Sequence, residues 1–360
     1  MKTIAAVLTK INEPLEIEEL TIPALKKGQV LVEVAYSGIC HSQLNEIHGL
    51  KGEDKFLPHT LGHEGSGIVL ETGPDVTKVK SGDHVVLTWI KGSGHDVPSA
   101  QYNRQDGAIV NSGAISTFIT HAIISENRLI PITKEMPLKE AALLGCAIPT
   151  GSGIVKNTAN LQPGESVAVF GCGGIGLSAI LMANSINKSD TSKKGKAKST
   201  TIIAIDIMDA KLSLAIALGA THAINARQAD SLKSVMDITG GKGVDYAIEA
   251  AGKRETMETA FRCVQDKGGL CILAGNLPQG TTISIDPFDL IKGKKIVGTW
   301  GGETQPDVDI PLYATLFLSE KINLRPLITL SHSLTNINEA IKLMEAGQTG
   351  RCPIEMRNIH

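Results

Sequence analysis

Ser166-Val167-Ala168-Val169-Phe170-Gly171-Cys172-Gly173-Gly174-Ile175-Gly176 decides the fold of this 360-residue chain. Five strand-forming residues run into GCGGIG, and an apolar helical pattern at Leu177, Ile180 and Leu181 follows. Strand, tight turn and helix opening, in that order, form the dinucleotide-binding βαβ start. Gly171 allows the turn, Gly173 lets the backbone approach a pyrophosphate, and Gly176 lets helix and strand pack closely. The helix N-terminus at Gly174 and Ile175 offers free N–H groups and a positive dipole end to phosphates. Glycine is common here, with 37 residues, so the motif draws its weight from its flanks.

The next strand, Thr201-Ile202-Ile203-Ala204-Ile205-Asp206, closes on an acid that can accept hydrogen bonds from the hydroxyls of an adenosine ribose. Strand and helix patterns then alternate: a helix at 209–218, a strand at 222–225, a helix at 231–238, a strand at 244–250, a helix at 257–264, and strands at 269–274 and 295–298. This predicts an α/β doubly wound parallel sheet with right-handed crossovers. The lysine-rich segment 187–199 stretches Gly176 to Asp206 to 30 positions, against about 20 in the usual fingerprint. It reads as a solvated loop insertion, with a cofactor-phosphate lysine cluster as the sharper alternative.

Before residue 150 the pattern differs. Residues 2–9, 29–36, 64–71, 84–89 and 115–124 read as short strands broken by Gly73-Pro74-Asp75 and Ser81-Gly82-Asp83, which predicts a β-barrel-like domain. The final sixty or so residues carry two helices, 311–319 and 338–345, the second with Thr335 or Asn336 as N-cap. They are too few for a domain of their own and return to the first one. The expected boundaries are 1–147, 148–296 and 297–360. A net charge of −2 offers no basic field for nucleic acid or a membrane surface. The short N-terminal apolar run does not read as a signal peptide, and no run reaches transmembrane length. Six irregularly spaced cysteines suit a reducing compartment, so a cytoplasmic setting is expected.

Cys40, His63 and Cys146 each sit at a turn beside an apolar run. Two thiolates and one imidazole form a three-ligand zinc site with an open fourth position, the catalytic arrangement. Ligands so far apart obey no spacing rule, and each alone also fits a buried cysteine or a hydrogen-bonded histidine.

GICHSQL (38–44), GHEGSGIV (62–69), VTKVKSGDHVV (76–86), GCAIPTG (145–151), GESVAVFGCGGIGL (164–177), ALGATHAIN (217–225) and GVDYAIEAAG (243–252) resemble, in order, the medium-chain dehydrogenase/reductase family, specifically its zinc-dependent alcohol dehydrogenases. The resemblance implies a GroES-like catalytic domain, a Rossmann domain, a tail that rejoins the first, and an active site in the cleft between the domains. Cys40, His63 and Cys146 then match the ligands of one catalytic zinc, and Glu64 the carboxylate beside it. Ser42 matches the hydroxyl that hands on the substrate proton. Thr150 matches a nicotinamide neighbour, His41 and Arg351 pyrophosphate contacts, Lys211 the lysine beside the ribose, and Trp89 a wall of the substrate pocket. The Arg351 match rests on Thr349-Gly350-Arg351.

Three departures stand out. Residues 91–112 contain no cysteine, so the four-cysteine structural zinc of some members is not expected. Asn45 stands at the relay histidine and Gln43 at the aspartate that orients the imidazole, although an amide can still hold the ring N–H. The implied reaction is reversible transfer of a hydride between an alcohol and NAD, with Asp206 disfavouring the 2′-phosphate of NADP. A zinc-free enone or quinone reductase and a redox-inert NAD-binding regulatory protein are the alternatives. Polyols, amino-alcohols and sugar derivatives stand beside simple alcohols as substrates. A homodimer or homotetramer is expected, with edges near 283–285 and 295–298 pairing across a twofold axis.

Overall fold

A computed structural model of the chain describes residues 1–113, 115–190, 199–278, 280–348 and 350–357, without the side chains of 188–190. Two compact units emerge: Met1–Cys146 with Gln305–Leu318 and Leu327–His360, and Ala147–Thr304 with Ser319–Pro326. Residues 297–304 and 319–326, read from the sequence as part of the returning tail, group with the second unit.

In the second unit six parallel strands line up in the order 222–225, 201–206, 166–170, 246–249, 270–273, 295–298. The chain starts at the sheet centre and winds outward both ways, so the order reverses at Ser166–Phe170, where an open α/β sheet places its ligand crevice. Ala168, Phe170, Ile203, Ile205 and Ala247 pack a core beneath Phe261 and Val264. Gly171 (φ 92°) makes the turn after the first strand, a conformation in which side chains other than glycine are strained. The helix Gly174–Asp190 follows and takes in the start of the lysine-rich segment. The lysine run at 193–198 and Thr349 of the tail motif lie outside the described residues.

The first unit holds a closed five-stranded barrel and a seven-stranded sheet. Long apolar strands build the sheet: Gln29–Gly38 pairs antiparallel with Glu64–Thr72, which pairs with His84–Thr88. The tail strand Pro353–Glu355 adds to the other edge of Gln29–Gly38, with Pro353 opposite Gly38, so the C-terminus belongs to this unit. The helices Pro306–Leu318 and Ile337–Glu345 also lie here.

One local expectation is corrected. The β-branched stretch 115–124 is a strand only over His121–Ser125, because Ser116 and Thr117 bond instead to the Thr60–Leu61 backbone. Ile283 and Ile285, expected at an edge that pairs with a second copy, pair with no strand of this chain among the described residues, and Lys295–Gly298 is the outer strand of its sheet. Of the two N-cap candidates for the last helix, Asn336 takes the position, without a side-chain cap bond because a 3₁₀ turn over Leu334–Asn336 leads in.

Candidate active site

Three turns of the first unit deliver the sulfur and nitrogen ligands. Cys40 caps the helix His41–Ile47, His63 precedes the strand Glu64–Thr72, and Cys146 follows a 3₁₀ turn over Ala142–Gly145. Ligand atoms of Cys40, His63 and Cys146 all lie within 4.8 Å of one another, and the His63 Nε2 to Cys146 Sγ distance is 3.3 Å. A set of two thiols and an imidazole matches the donor preferences of a zinc ion, which these three residues would hold. The Cys40 thiol is held well below its ordinary pKa by hydrogen bonding from Cys146, opposed by burial and assisted by His63 and Arg351. Thiolates are the form a metal requires.

The backbone around these ligands is locked by side chains that carry no motif. Ser37 and Thr117 hydroxyls both donate to the Glu64 carbonyl, each at 3.1 Å. Thr88 donates to the carbonyl of Gly145 at 2.7 Å and so fixes the residue before Cys146. Hydroxyls in strands are common, and no sequence signal singles these three out. Glu64 is fully buried, and its carboxylate meets the guanidinium of Arg351. Arg351, matched in the sequence to a cofactor pyrophosphate, thus sits in the first unit against Glu64, close enough for its charge to act on Cys40.

Gln43 is buried under His63. Its Oε1 accepts from the Cys40 N–H at 2.9 Å, which turns the amide nitrogen toward His63 Nδ1. The Ser42 hydroxyl lies 3.3 Å from the same nitrogen. His41 is exposed at the start of this helix. Trp89 packs partly buried against the barrel core, and its carbonyl accepts from Arg128. A second group of ligand-type side chains, Glu46, Asp54 and His59, is already paired. His59 Nε2 lies 2.9 Å from Asp54 and its Nδ1 3.2 Å from the Thr60 carbonyl, while Glu46 holds Lys51.

The remaining candidates belong to the second unit. Gly171, Gly173, Gly174, Ile175 and Gly176 form the turn and helix start, and nothing stands within 4 Å of where a Cβ would lie at Gly173. Asp206 closes its strand with the carboxylate fixed by the N–H groups of Cys172 (2.7 Å), Ile207 (2.8 Å) and Met208 (3.0 Å). Lys211 opens the following helix close enough for its charge to act on the Cys172 thiol, which burial pushes up to about 12. The helix Ala147–Gly153 packs on the glycine-loop helix, and the buried Thr150 hydroxyl in it has no partner among the described residues. An open glycine loop, a fixed acid and an unsatisfied hydroxyl fit a dinucleotide.

Residues 26–134 match the alcohol dehydrogenase GroES-like domain, and residues 174–315 match the zinc-binding dehydrogenase model. An S-(hydroxymethyl)glutathione dehydrogenase of Synechocystis sp. is 35% identical over 381 aligned positions, covering 98% of this chain and all of the relative. One of Paracoccus denitrificans is 31% identical, covering 98% and 99%. Among solved structures, the benzyl alcohol dehydrogenase of Acinetobacter calcoaceticus superposes with a TM-score of 0.87 at 31% identity, covering 99% of both chains. A zinc-binding-domain alcohol dehydrogenase of Burkholderia ambifaria gives 0.89 at 31%, covering 99% of this chain and 100% of its own. The chain belongs to the zinc-binding, GroES-like alcohol dehydrogenase family and is an oxidoreductase acting on CH–OH donors.

Proposed function

We propose that this enzyme moves a hydride reversibly between an alcohol and NAD, using one zinc held by Cys40, His63 and Cys146. The convergence of those three ligands within 4.8 Å carries the reading. When bound, zinc supplies a Lewis acid that lowers the pKa of a substrate hydroxyl toward neutrality. Ser42 takes up the released proton and passes it to water or ribose hydroxyls, since Asn45 cannot relay it. For His63 to present Nε2 to a metal, Nδ1 must keep its proton. With Gln43 Oε1 engaged by Cys40, the Ser42 hydroxyl is the acceptor facing it. The buried Glu64–Arg351 pair keeps charge balanced beside the thiolates.

NAD is favoured over NADP because the Asp206 carboxylate accepts from ribose hydroxyls and repels a 2′-phosphate. The glycine loop, Thr150 and Lys211 supply the dinucleotide contacts, and His41 and Arg351 stand as further candidates for its pyrophosphate, Arg351 through whatever guanidinium N–H groups its Glu64 pair leaves over. Trp89 walls the substrate pocket. The relatives named for S-(hydroxymethyl)glutathione and benzyl alcohol set the first substrates to try. Polyols, amino-alcohols and sugar derivatives come next. The exposed edge strand Lys295–Gly298, with Val297 39% exposed, supports pairing of two copies across a twofold axis. Among the described residues no helix is long and apolar enough to cross a membrane, and a cytoplasmic setting suits the free cysteines. NADH formation on an alcohol panel, with metal content measured in parallel, tests the reading. A zinc-free enone reductase would reduce enones without metal, and a redox-inert protein would bind NAD without turnover.

A further inference from the structure

Glu249 ends the strand Tyr246–Glu249 fully buried, and nothing in the proposed reaction uses it. Its Oε1 accepts from the Ala251 N–H (3.0 Å), the Gly252 N–H (2.9 Å) and the Thr256 hydroxyl (2.6 Å). Its Oε2 has no hydrogen-bond partner among the described residues. That oxygen lies 2.6 Å from where a Cβ would stand at Gly275, beyond the strand Leu270–Leu273.

The turn that Oε1 holds is pressed against the glycine loop. The Ala250 N–H donates to the Phe170 carbonyl at 2.8 Å. A Cβ at Gly171 would come within 2.7 Å of the Ala251 nitrogen. From the other side, the Ala274 and Gly275 N–H groups donate to the Glu249 carbonyl at 2.8 and 3.0 Å. One residue therefore ties together the C-terminal ends of three adjacent parallel strands, the edge at which an open α/β sheet binds its ligand.

We propose that Glu249 is a positioning residue for the dinucleotide, holding the Ala250–Gly252 turn as the buttress that keeps the glycine loop in its phosphate-binding shape. The inference rests on the dinucleotide reading above. An ionised carboxylate with one oxygen unsolvated is costly, and burial accordingly pushes the Glu249 carboxyl above its usual range. What holds the turn is the acceptor oxygen Oε1, so an amide of the same shape, with its oxygen in that place, should serve as well.

The test is the equilibrium affinity for NADH, followed by fluorescence, in wild type, Glu249→Gln, Glu249→Ala and Thr256→Val. Zinc content and thermal melting are measured on each protein. Glu249→Gln should bind within a small factor of wild type. Glu249→Ala should bind about tenfold more weakly, and Thr256→Val should shift the same way by less. The KM for NAD should rise while the KM for alcohol and the zinc content hold. Should Glu249→Ala fail to fold, Thr256→Val carries the comparison. Wild-type NADH affinity in both Glu249→Ala and Thr256→Val, or in Thr256→Val alone where Glu249→Ala does not fold, overturns the proposal. So does a Glu249→Gln protein as weak as Glu249→Ala. A wild type without NADH affinity overturns the dinucleotide reading itself.

Discussion

The guanidinium of Arg351 and the carboxylate of Glu64 pair in the interior of the first unit, 5% and 0% exposed. Glu64 directly follows His63, and Arg351 comes from the C-terminal tail, where its backbone is pinned by Leu327 and Thr329. The pair fastens the tail to the ligand cluster. Removing one partner strands a buried charge, so Arg351→Leu should lose about 3–5 kcal/mol of stability. Arg351→Leu combined with Glu64→Leu should recover part of that loss. Urea unfolding of the singles and the double gives the coupling, and additive losses would show that the two side chains do not interact.

Replacing Gln43 by Glu keeps the shape and the bond from Cys40 N–H while offering His63 Nδ1–H a carboxylate oxygen. Zinc affinity, measured by chelator competition, should rise by roughly 10–100-fold, the usual scale for an outer-shell partner. An unchanged affinity would mean that Ser42 alone already satisfies the ring.

Ser42→Ala should slow alcohol oxidation by roughly 10²–10⁴-fold, as for other acid–base groups. Asn45→Ala should matter far less. Steady-state kcat for the two variants checks this, and equal small effects would show that the proton leaves by another route.

Glu126 is buried, and its carboxylate accepts from the N–H groups of Thr77 and Lys78 (both 2.7 Å) and His95 (2.8 Å). Burial raises its pKa, but the three backbone donors outweigh that and lower it overall. A depressed folded pKa stabilises the protein above the unfolded value, about 4.3, and that contribution is lost as pH falls through the folded pKa. Glu126→Gln should therefore lose about 2–4 kcal/mol near neutral pH, with the gap from wild type narrowing as the pH is lowered below about 4. Denaturant unfolding from pH 7 downward reads both.

The Rossmann half was legible because its apolar strands, glycine turn and amphipathic helices each repeat a local period. The full strand expected over 115–124 was not, since β-branching signals a strand but does not show that Ser116 and Thr117 bond instead to the Thr60–Leu61 backbone. Cys40, His63 and Cys146 are distant in sequence, so their convergence was legible only through the resemblance of the turns around them. Thr88, Ser37, Thr117 and Glu249 were invisible as site-shaping groups. Each acts through one hydrogen bond or one buried carboxyl whose partner is set by tertiary register. Arg351 was singled out through Thr349-Gly350-Arg351, but its Glu64 contact depended on where the tail strand pairs.

The most direct test of the account is NADH formation from an alcohol panel, including benzyl alcohol and S-(hydroxymethyl)glutathione, before and after zinc removal. The account predicts turnover at one zinc per chain, loss of turnover on chelation, and recovery when zinc is restored. Full turnover in the metal-free protein, or in Cys146→Ser, would contradict it.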